Sequence, residues 1–198
     1  MTLASLRTAL LGLIALGALC FLDAPLRTLG QSWQAQRPGE RLVLLTFELD
    51  LYALWAIGVF YLRWDCRLLP AAADAALAVL GAPLAAAGVT LAVWAKLRLG
   101  RWFSANFGVK RGHQLVTDGP YAVTRHPIYT GILATLLGAA LLWNSLLTLL
   151  LAALMAVPLF LHTVYEEALF EQHFGDAYRD YQRRVPRLVP LARPRGRA

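Results

Sequence analysis

Between Gly112 and Gly131 the chain reads GHQLVTDGPYAVTRHPIYTG, which gathers His113, Asp118, Tyr121, Arg125, His126 and Tyr129 into one short stretch. Two imidazoles, a permanent cation, a carboxylate and two phenols are the groups needed to grip a charged, water-soluble ligand. Arg125 and His126 stand directly before Pro127. Proline suits the first turn of a helix, because its missing N–H would have no intrahelical partner there. The free N–H groups and the dipole at such a start favour an anion. Asp118-Gly119-Pro120 reads as a turn from its own chemistry. Further on, Glu166 and Glu167 add two carboxylates. Adjacent residues on a helix point in different directions, so only one of the pair is expected to face a given pocket.

These polar groups must be mounted on a very hydrophobic chain. Of its 198 residues 58% are hydrophobic, in long apolar runs that suit an integral membrane protein rather than a soluble domain. The formal net charge is +7. The basic residues fall between and after the apolar runs, which suits anionic lipid head groups and argues against nucleic acid. No G-x-G-x-x-G or Walker loop is present. Cys20 and Cys66 lack metal-ligand spacing, and no metal site is expected.

Taken in order, the apolar runs predict an all-α integral membrane protein of about five transmembrane helices. The first is Thr8–Leu22, with Leu3 and Leu6 extending it while Arg7 snorkels. A polar loop, Asp23–Arg41, leads to a second span over Leu42–Leu62 that carries Glu48 and Asp50. Ionisable groups inside a span are costly and point to function unless they lie near the surface and pair with an arginine. The third span runs from Pro70 to Leu97 with a kink expected at Pro83 and many small residues. The fourth is Pro127–Trp143, followed by an Asn144-Ser145 turn. The fifth is Leu146–Tyr165, with Glu166 and Glu167 leaving the bilayer. Gly175 ends the next helix, Asp176 caps a last short one bearing Tyr178 and Tyr181, and a basic tail closes the chain. Most Lys and Arg then lie on the side of the polar stretch and the tail, which makes that side cytosolic, in a bacterial inner membrane.

Three blocks of this sequence resemble the isoprenylcysteine carboxyl methyltransferase family and its phospholipid methyltransferase relatives. They are GHQLVTDGPY at Gly112–Tyr121, RHPIYTG at Arg125–Gly131 and EEALFEQHFGDAYRDYQRRVP at Glu166–Pro186, with Asn106-Phe107 upstream. The likeness covers about residues 95 to 190. It makes 1–198 a single membrane domain, with that core preceded by two N-terminal helices of unassigned role in 1–70.

The resemblance implies a membrane-embedded methyltransferase that uses S-adenosylmethionine and releases S-adenosylhomocysteine. The cofactor pocket would be built from the loop before the fourth helix, the fourth and fifth helices and the cytosolic C-terminal helices. A lipid-like or small hydrophobic acceptor would enter from the bilayer, with O-methylation of an isoprenylcysteine-like carboxylate favoured over N- or S-methylation. By likeness, His113, Leu115, Val116 and Gly119 hold the adenosine part, while Arg125, His126 and Pro127 receive the methionine carboxylate. Tyr121 and Tyr129 face the sulfonium, and Glu167, more than Glu166, binds the amino group. Asn106, Arg179, Arg183 and Arg184 are candidates to orient the acceptor. A membrane reductase of the sterol-reductase type using NADPH and a non-catalytic membrane scaffold are the competing readings. Plain counterparts exist for several residues: an aromatic belt for the tyrosines, interface anchoring for Arg125 and His126, and a structural role for His113, His162 and His173.

Overall fold

A computed structural model describes residues 2–20, 66–103 and 112–188. The second predicted span with Glu48 and Asp50, and Asn106, lie outside the described residues. The described residues form five α-helices: α1 (Leu3–Leu19), α2 (Asp74–Leu99), α3 (Pro127–Trp143), α4 (Leu146–Phe174) and α5 (Asp176–Arg184). Short 3-10 turns at Ala71–Ala73, Gly100–Trp102 and Gly119–Ala122 join or precede them, and no strand forms among the described residues. Among the described residues two stretches are long and apolar enough to cross a membrane, Ala71–Trp102 and Leu146–Phe174, while α1 and α3 are shorter apolar helices.

The tightest packing is between α2 and α3, and its cause is small residues. Gly81, Ala85, Gly88 and Ala92 of α2 meet Gly131, Thr135 and Gly138 of α3. A Cβ at Gly88 would come within 2.5 Å of Thr135 N and 2.6 Å of Gly131 O. In lipid, where apolar burial gives little drive, such close backbone approach supplies the van der Waals attraction between helices. α1 packs against both α2 and the end of α3, with Leu10 in a core with Ala78, Ala85 and Leu142. Outward-facing Val79 and Leu80 on α2, and Leu150, Leu154, Val157, Phe160 and Leu161 on α4, remain exposed, as side chains facing lipid would be.

A polar clamp ties the end of the bundle remote from Glu166. Asn144 takes the left-handed conformation (φ 51°) that closes α3. Its side chain accepts from Leu69 N at 2.8 Å and donates to Leu69 O and Asp74 Oδ1, each at 2.8 Å. Ser145 then caps α4 by accepting from Thr148 N at 3.0 Å. The expected Asn144-Ser145 turn is therefore present.

Four expectations need adjustment. α1 begins at Leu3, as the extension through Leu3 and Leu6 anticipated, but ends at Leu19 rather than Leu22. Arg7 does not snorkel: its Nε and Nη2 donate to Leu142 O at 3.1 and 3.0 Å, because the last carbonyls of α3 have no intrahelical partner. α4 does not stop at Tyr165 but continues as one helix to Phe174. At 1.5 Å per residue its 29 residues reach about 43 Å, longer than a hydrocarbon core of about 30 Å, so Glu166 and Glu167 ride on its extension. Lastly, Gly175 (φ 56°) both ends α4 and serves as the N-cap of α5, with Asp176 inside the first turn.

Candidate active site

The loop before α3 is fastened at both ends. Near its start, Leu115 packs on Tyr178, Tyr181 and Val185 of the C-terminal segment, with Phe170 and Phe174 of α4. His113 stacks on Trp102 (centroids 5.1 Å apart) and meets the edges of Phe170 and Phe174 at 5.9 and 5.8 Å. Val116 is half-buried beside Leu115. Gly119 (φ 57°) makes the turn, and Asp118 pairs with Arg98, which holds the Asp118 carboxyl below its usual range. Tyr121 is buried, and burial pushes its phenol up. Its hydroxyl donates to Ala95 O at 3.4 Å, and its own carbonyl accepts from Tyr181 OH at 2.6 Å. One tyrosine thus fixes the loop to α2 and to α5.

At the far end of the loop, Glu167 is the centre of a buried polar hub. Its side chain is 4% exposed. Oε1 accepts from Arg125 Nε at 2.8 Å, His126 Nε2 at 3.1 Å and Arg187 Nε at 3.1 Å. Oε2 accepts from Arg187 Nη2 at 2.7 Å and Gln182 Nε2 at 3.3 Å. Arg125 also donates through Nη1 to Gln182 O (2.9 Å) and Val185 O (2.7 Å), capping the end of α5. A carboxylate this deeply buried persists as an ion because cations and hydrogen bonds surround it.

Residues 186–188 form a strap across the start of α3. Pro186 O accepts from Arg125 N at 2.9 Å, Arg187 O from His126 N at 3.1 Å and Thr124 Oγ1 at 2.8 Å, and Leu188 O from Thr130 Oγ1 at 2.7 Å. The backbone N–H groups of Arg125 and His126, directly ahead of α3, are thereby taken up by the chain itself.

Glu166 behaves differently from its neighbour. Its side chain is 24% exposed, its Oε2 lies 3.3 Å from His126 Nδ1, and it is hydrogen-bonded to Tyr129. The two glutamates reach His126 from opposite edges of its ring, one partly exposed and one buried. The His126 ring lies between them and reaches Glu166 with Nδ1 and Glu167 with Nε2. Burial opposes charging His126, but hydrogen bonds to the two carboxylates outweigh it and hold its pKa above the ordinary value. The Tyr129 ring stacks on His126 with centroids 5.7 Å apart, at the first turn of α3, where Pro127 occupies the opening position as expected.

The structure therefore brings Arg125, His126, Pro127, Tyr129, Glu166 and Glu167 together, and joins His113, Leu115 and Tyr121 to the same loop–α5 assembly. It does not bring Arg179, Arg183 or Arg184 there. The buried face of α5 is Tyr178 and Tyr181, so the arginines point outward. Arg179 pairs with Glu171 and Asp176, Arg183 with Asp180, and Arg184 donates to Asp180 O. The arginine at the hub is Arg187, which sequence reasoning passed over as part of a basic tail, along with Gln182, Thr124 and Thr130. A signal was available for Arg187, since it lies one residue beyond the Val185-Pro186 pair that ends the third block. Among the described residues no cluster of His, Cys, Asp and Glu has a metal-binding arrangement.

An all-helical chain with membrane-length helices, and a polar hub carried on their extensions, is the class of protein defined by this geometry. The sequence pattern of phospholipid methyltransferases matches residues 76–177, and the chain belongs to that family. It is 38% identical over 100 residues to a protein-S-isoprenylcysteine O-methyltransferase of Schizosaccharomyces pombe, covering 49% of this chain and 42% of that one. It is 33% identical over 107 residues to protein-S-isoprenylcysteine O-methyltransferase B of Arabidopsis thaliana, covering 52% and 54%. The chain thus spans about half the length of the curated relatives it matches. Its fold is similar to that of a eukaryotic intramembrane Ras methyltransferase, an isoprenylcysteine carboxyl methyltransferase, with a TM-score of 0.62 at 21% identity, covering 94% of this chain and 66% of that one.

Proposed function

We propose that this chain is an S-adenosylmethionine-dependent methyltransferase of the membrane, acting on a hydrophobic or lipid-like acceptor that enters from the bilayer. The observation that carries this reading is the partly exposed Glu166 carboxylate, close to Tyr129 and joined through His126 to the buried Glu167 hub. A partly exposed carboxylate beside aromatic residues suits an ammonium or sulfonium cation. The cofactor, when bound, supplies an electrophilic methyl group on a positively charged sulfur. The acidic residues suit that charge, and Glu166 rather than Glu167 would be the carboxylate to receive a cation, since both Glu167 oxygens are already engaged.

The remaining residues position. Arg125, with its donors on Glu167, Gln182 and Val185, braces α5 against the start of α3 instead of standing open to a carboxylate. Tyr121, Leu115 and His113 set the loop that would lie along the adenosine part. Catalysis of displacement at a charged methyl needs orientation and a dry site more than proton chemistry. Carboxylate, amine and thiol acceptors are all compatible with it, and only the last two need a base. The site lies at the end of α4 that the charge pattern makes cytosolic.

Calorimetric titration of the detergent-purified chain tests this. Wild type should bind S-adenosylhomocysteine in the micromolar range and not NADPH, and Glu166→Gln should weaken binding at least tenfold, about 1.4 kcal/mol. Binding of NADPH instead, or of neither compound, would sink the proposal.

A further inference from the structure

Glu167 is met by more positive charge than one carboxylate needs. Arg125 already neutralises it, with Nε at 2.8 Å and a side chain only 10% exposed. Arg187 nevertheless brings a second guanidinium, with Nε 3.1 Å from Oε1 and Nη2 2.7 Å from Oε2. A two-bond contact of this kind fixes direction as well as charge. On its other flank the Arg187 guanidinium lies over the Phe160 ring, 5.3 Å from its centroid. Phe160 stands two turns before Glu167 on the same side of α4, so the Arg187 side chain is laid along that helix.

The main chain of the same residue is tied to a different element. Arg187 O accepts from His126 N at 3.1 Å and from Thr124 Oγ1 at 2.8 Å. The carbonyls on either side accept from Arg125 N and Thr130 Oγ1. His126 is therefore held twice by Arg187. The carbonyl holds its backbone, and the ring is held through Glu167 Oε1, which Arg187 Nε and His126 Nε2 share at 3.1 Å each. With its backbone and Nε2 fixed, the ring aims Nδ1 at Glu166 Oε2, 3.3 Å away. The path from Arg187 to Glu166 runs through that ring.

We propose that Arg187 is a positioning residue of the donor site. By clamping the 186–188 strap to α4 it sets the His126 ring, and through the ring the Glu166 carboxylate that receives the donor's cation. The proposal rests on the methyl-transfer reading above. Glu166 is 24% exposed, so without His126 to hold it the carboxylate is free to turn toward water, and a ligand must then order it on binding. Two other roles for Arg187 have different consequences. As one more positive charge, its removal would favour a cation near Glu166. As a support of the fold alone, its removal would weaken binding equally whether or not Glu166 keeps its charge. A positioning effect passes through Glu166 and vanishes with it.

The test is a double-variant cycle on the full chain in lipid nanodiscs. Calorimetric titration with S-adenosylhomocysteine is made at a temperature where thermal unfolding shows each protein folded. The proteins are wild type, Arg187→Met, Glu166→Gln, the double variant and, as a charge control, Arg183→Met, whose arginine points outward onto Asp180. Arg187→Met should weaken binding at least about fivefold in the wild-type background and less than about twofold in the Glu166→Gln background. Arg183→Met should stay within about twofold of wild type. Arg187→Lys keeps the charge and replaces the planar fork with a single ammonium. It should show the same pattern with a smaller loss, and it reads the cycle if Arg187→Met does not fold. Unchanged or tighter binding by Arg187→Met, the same loss in both backgrounds, or an equal loss in Arg183→Met would overturn the proposal. A wild type that does not bind S-adenosylhomocysteine refutes methyl transfer itself, and a Glu166→Gln protein that binds like wild type refutes the placing of the cation at Glu166. Both results differ from an additive cycle, which removes only the role of Arg187.

Discussion

Glu167→Gln should unfold the site while changing almost no volume. Gln retains one carbonyl acceptor, so Oε1 can still receive Arg125 Nε at 2.8 Å. The other oxygen becomes an NH2 facing Arg187 Nη2, now at 2.7 Å, and Gln182 Nε2, so donors oppose donors. The negative charge shared by Arg125, Arg187 and His126 is gone, and Arg125 is only 10% exposed. Removing one partner of a buried ion pair costs about 3–5 kcal/mol, because the other charge is left uncompensated. Each 1 kcal/mol shifts the melting temperature by about 2–4 °C for a chain of this size, which gives a drop of roughly 6–20 °C. Because Arg187 is half-exposed and able to return to water, Arg187→Met should cost less than Glu167→Gln. The double variant should cost less than the sum of the two, a coupling of at least about 1 kcal/mol. Thermal unfolding in nanodiscs reads all of this. A Glu167→Gln protein melting within 2 °C of wild type, or strictly additive variants, would show that the hub does not hold the start of α3, α4 and the strap together.

Three further outcomes follow from other contacts. Gly88→Ala should destabilise by about 1–3 kcal/mol of overpacking, since its Cβ would sit 2.5 Å from Thr135 N. Gly12→Ala, with nothing within 4 Å, should gain the usual 0.5–1 kcal/mol or so of helix propensity, and the pair of melting curves separates the two effects. Asn144→Ala loses three side-chain hydrogen bonds and keeps a left-handed backbone; a cost of about 2–4 kcal/mol is expected in the same assay. His126 has a folded pKa above its unfolded value, so the folded state binds more protons. Its contribution is complete below about pH 6.5 and is lost as pH rises through the raised value, so wild type should melt lower at pH 9 than at pH 6 and His126→Asn should lose that slope.

What the sequence by itself determined is what composition and local chemistry control. Long apolar runs favour helices because a helix satisfies its backbone within one segment in lipid, and among the described residues α3 is found at the predicted Pro127–Trp143. Pro127 marks its start, Asn144 and Ser145 its turn, and Gly175 the break before α5, each for a conformational reason local to that residue. The density of His, Arg, Tyr and Glu in two blocks likewise marked where the polar hub would be. Only the tertiary structure decided how those groups are shared out. Glu166 and Glu167 point apart along α4, and it takes the His126 ring, delivered by another helix, to join them. Arg125 had the chemistry to bind a carboxylate ligand but is turned onto Glu167 and the end of α5. Arg179, Arg183 and Arg184 had the same charge as Arg187 and differ only in where α5 and the strap place them. A side chain's charge and donors are local properties. Which partner meets them depends on contacts between residues distant in the chain, here 42 positions between Arg125 and Glu167, and no local pattern carries that information.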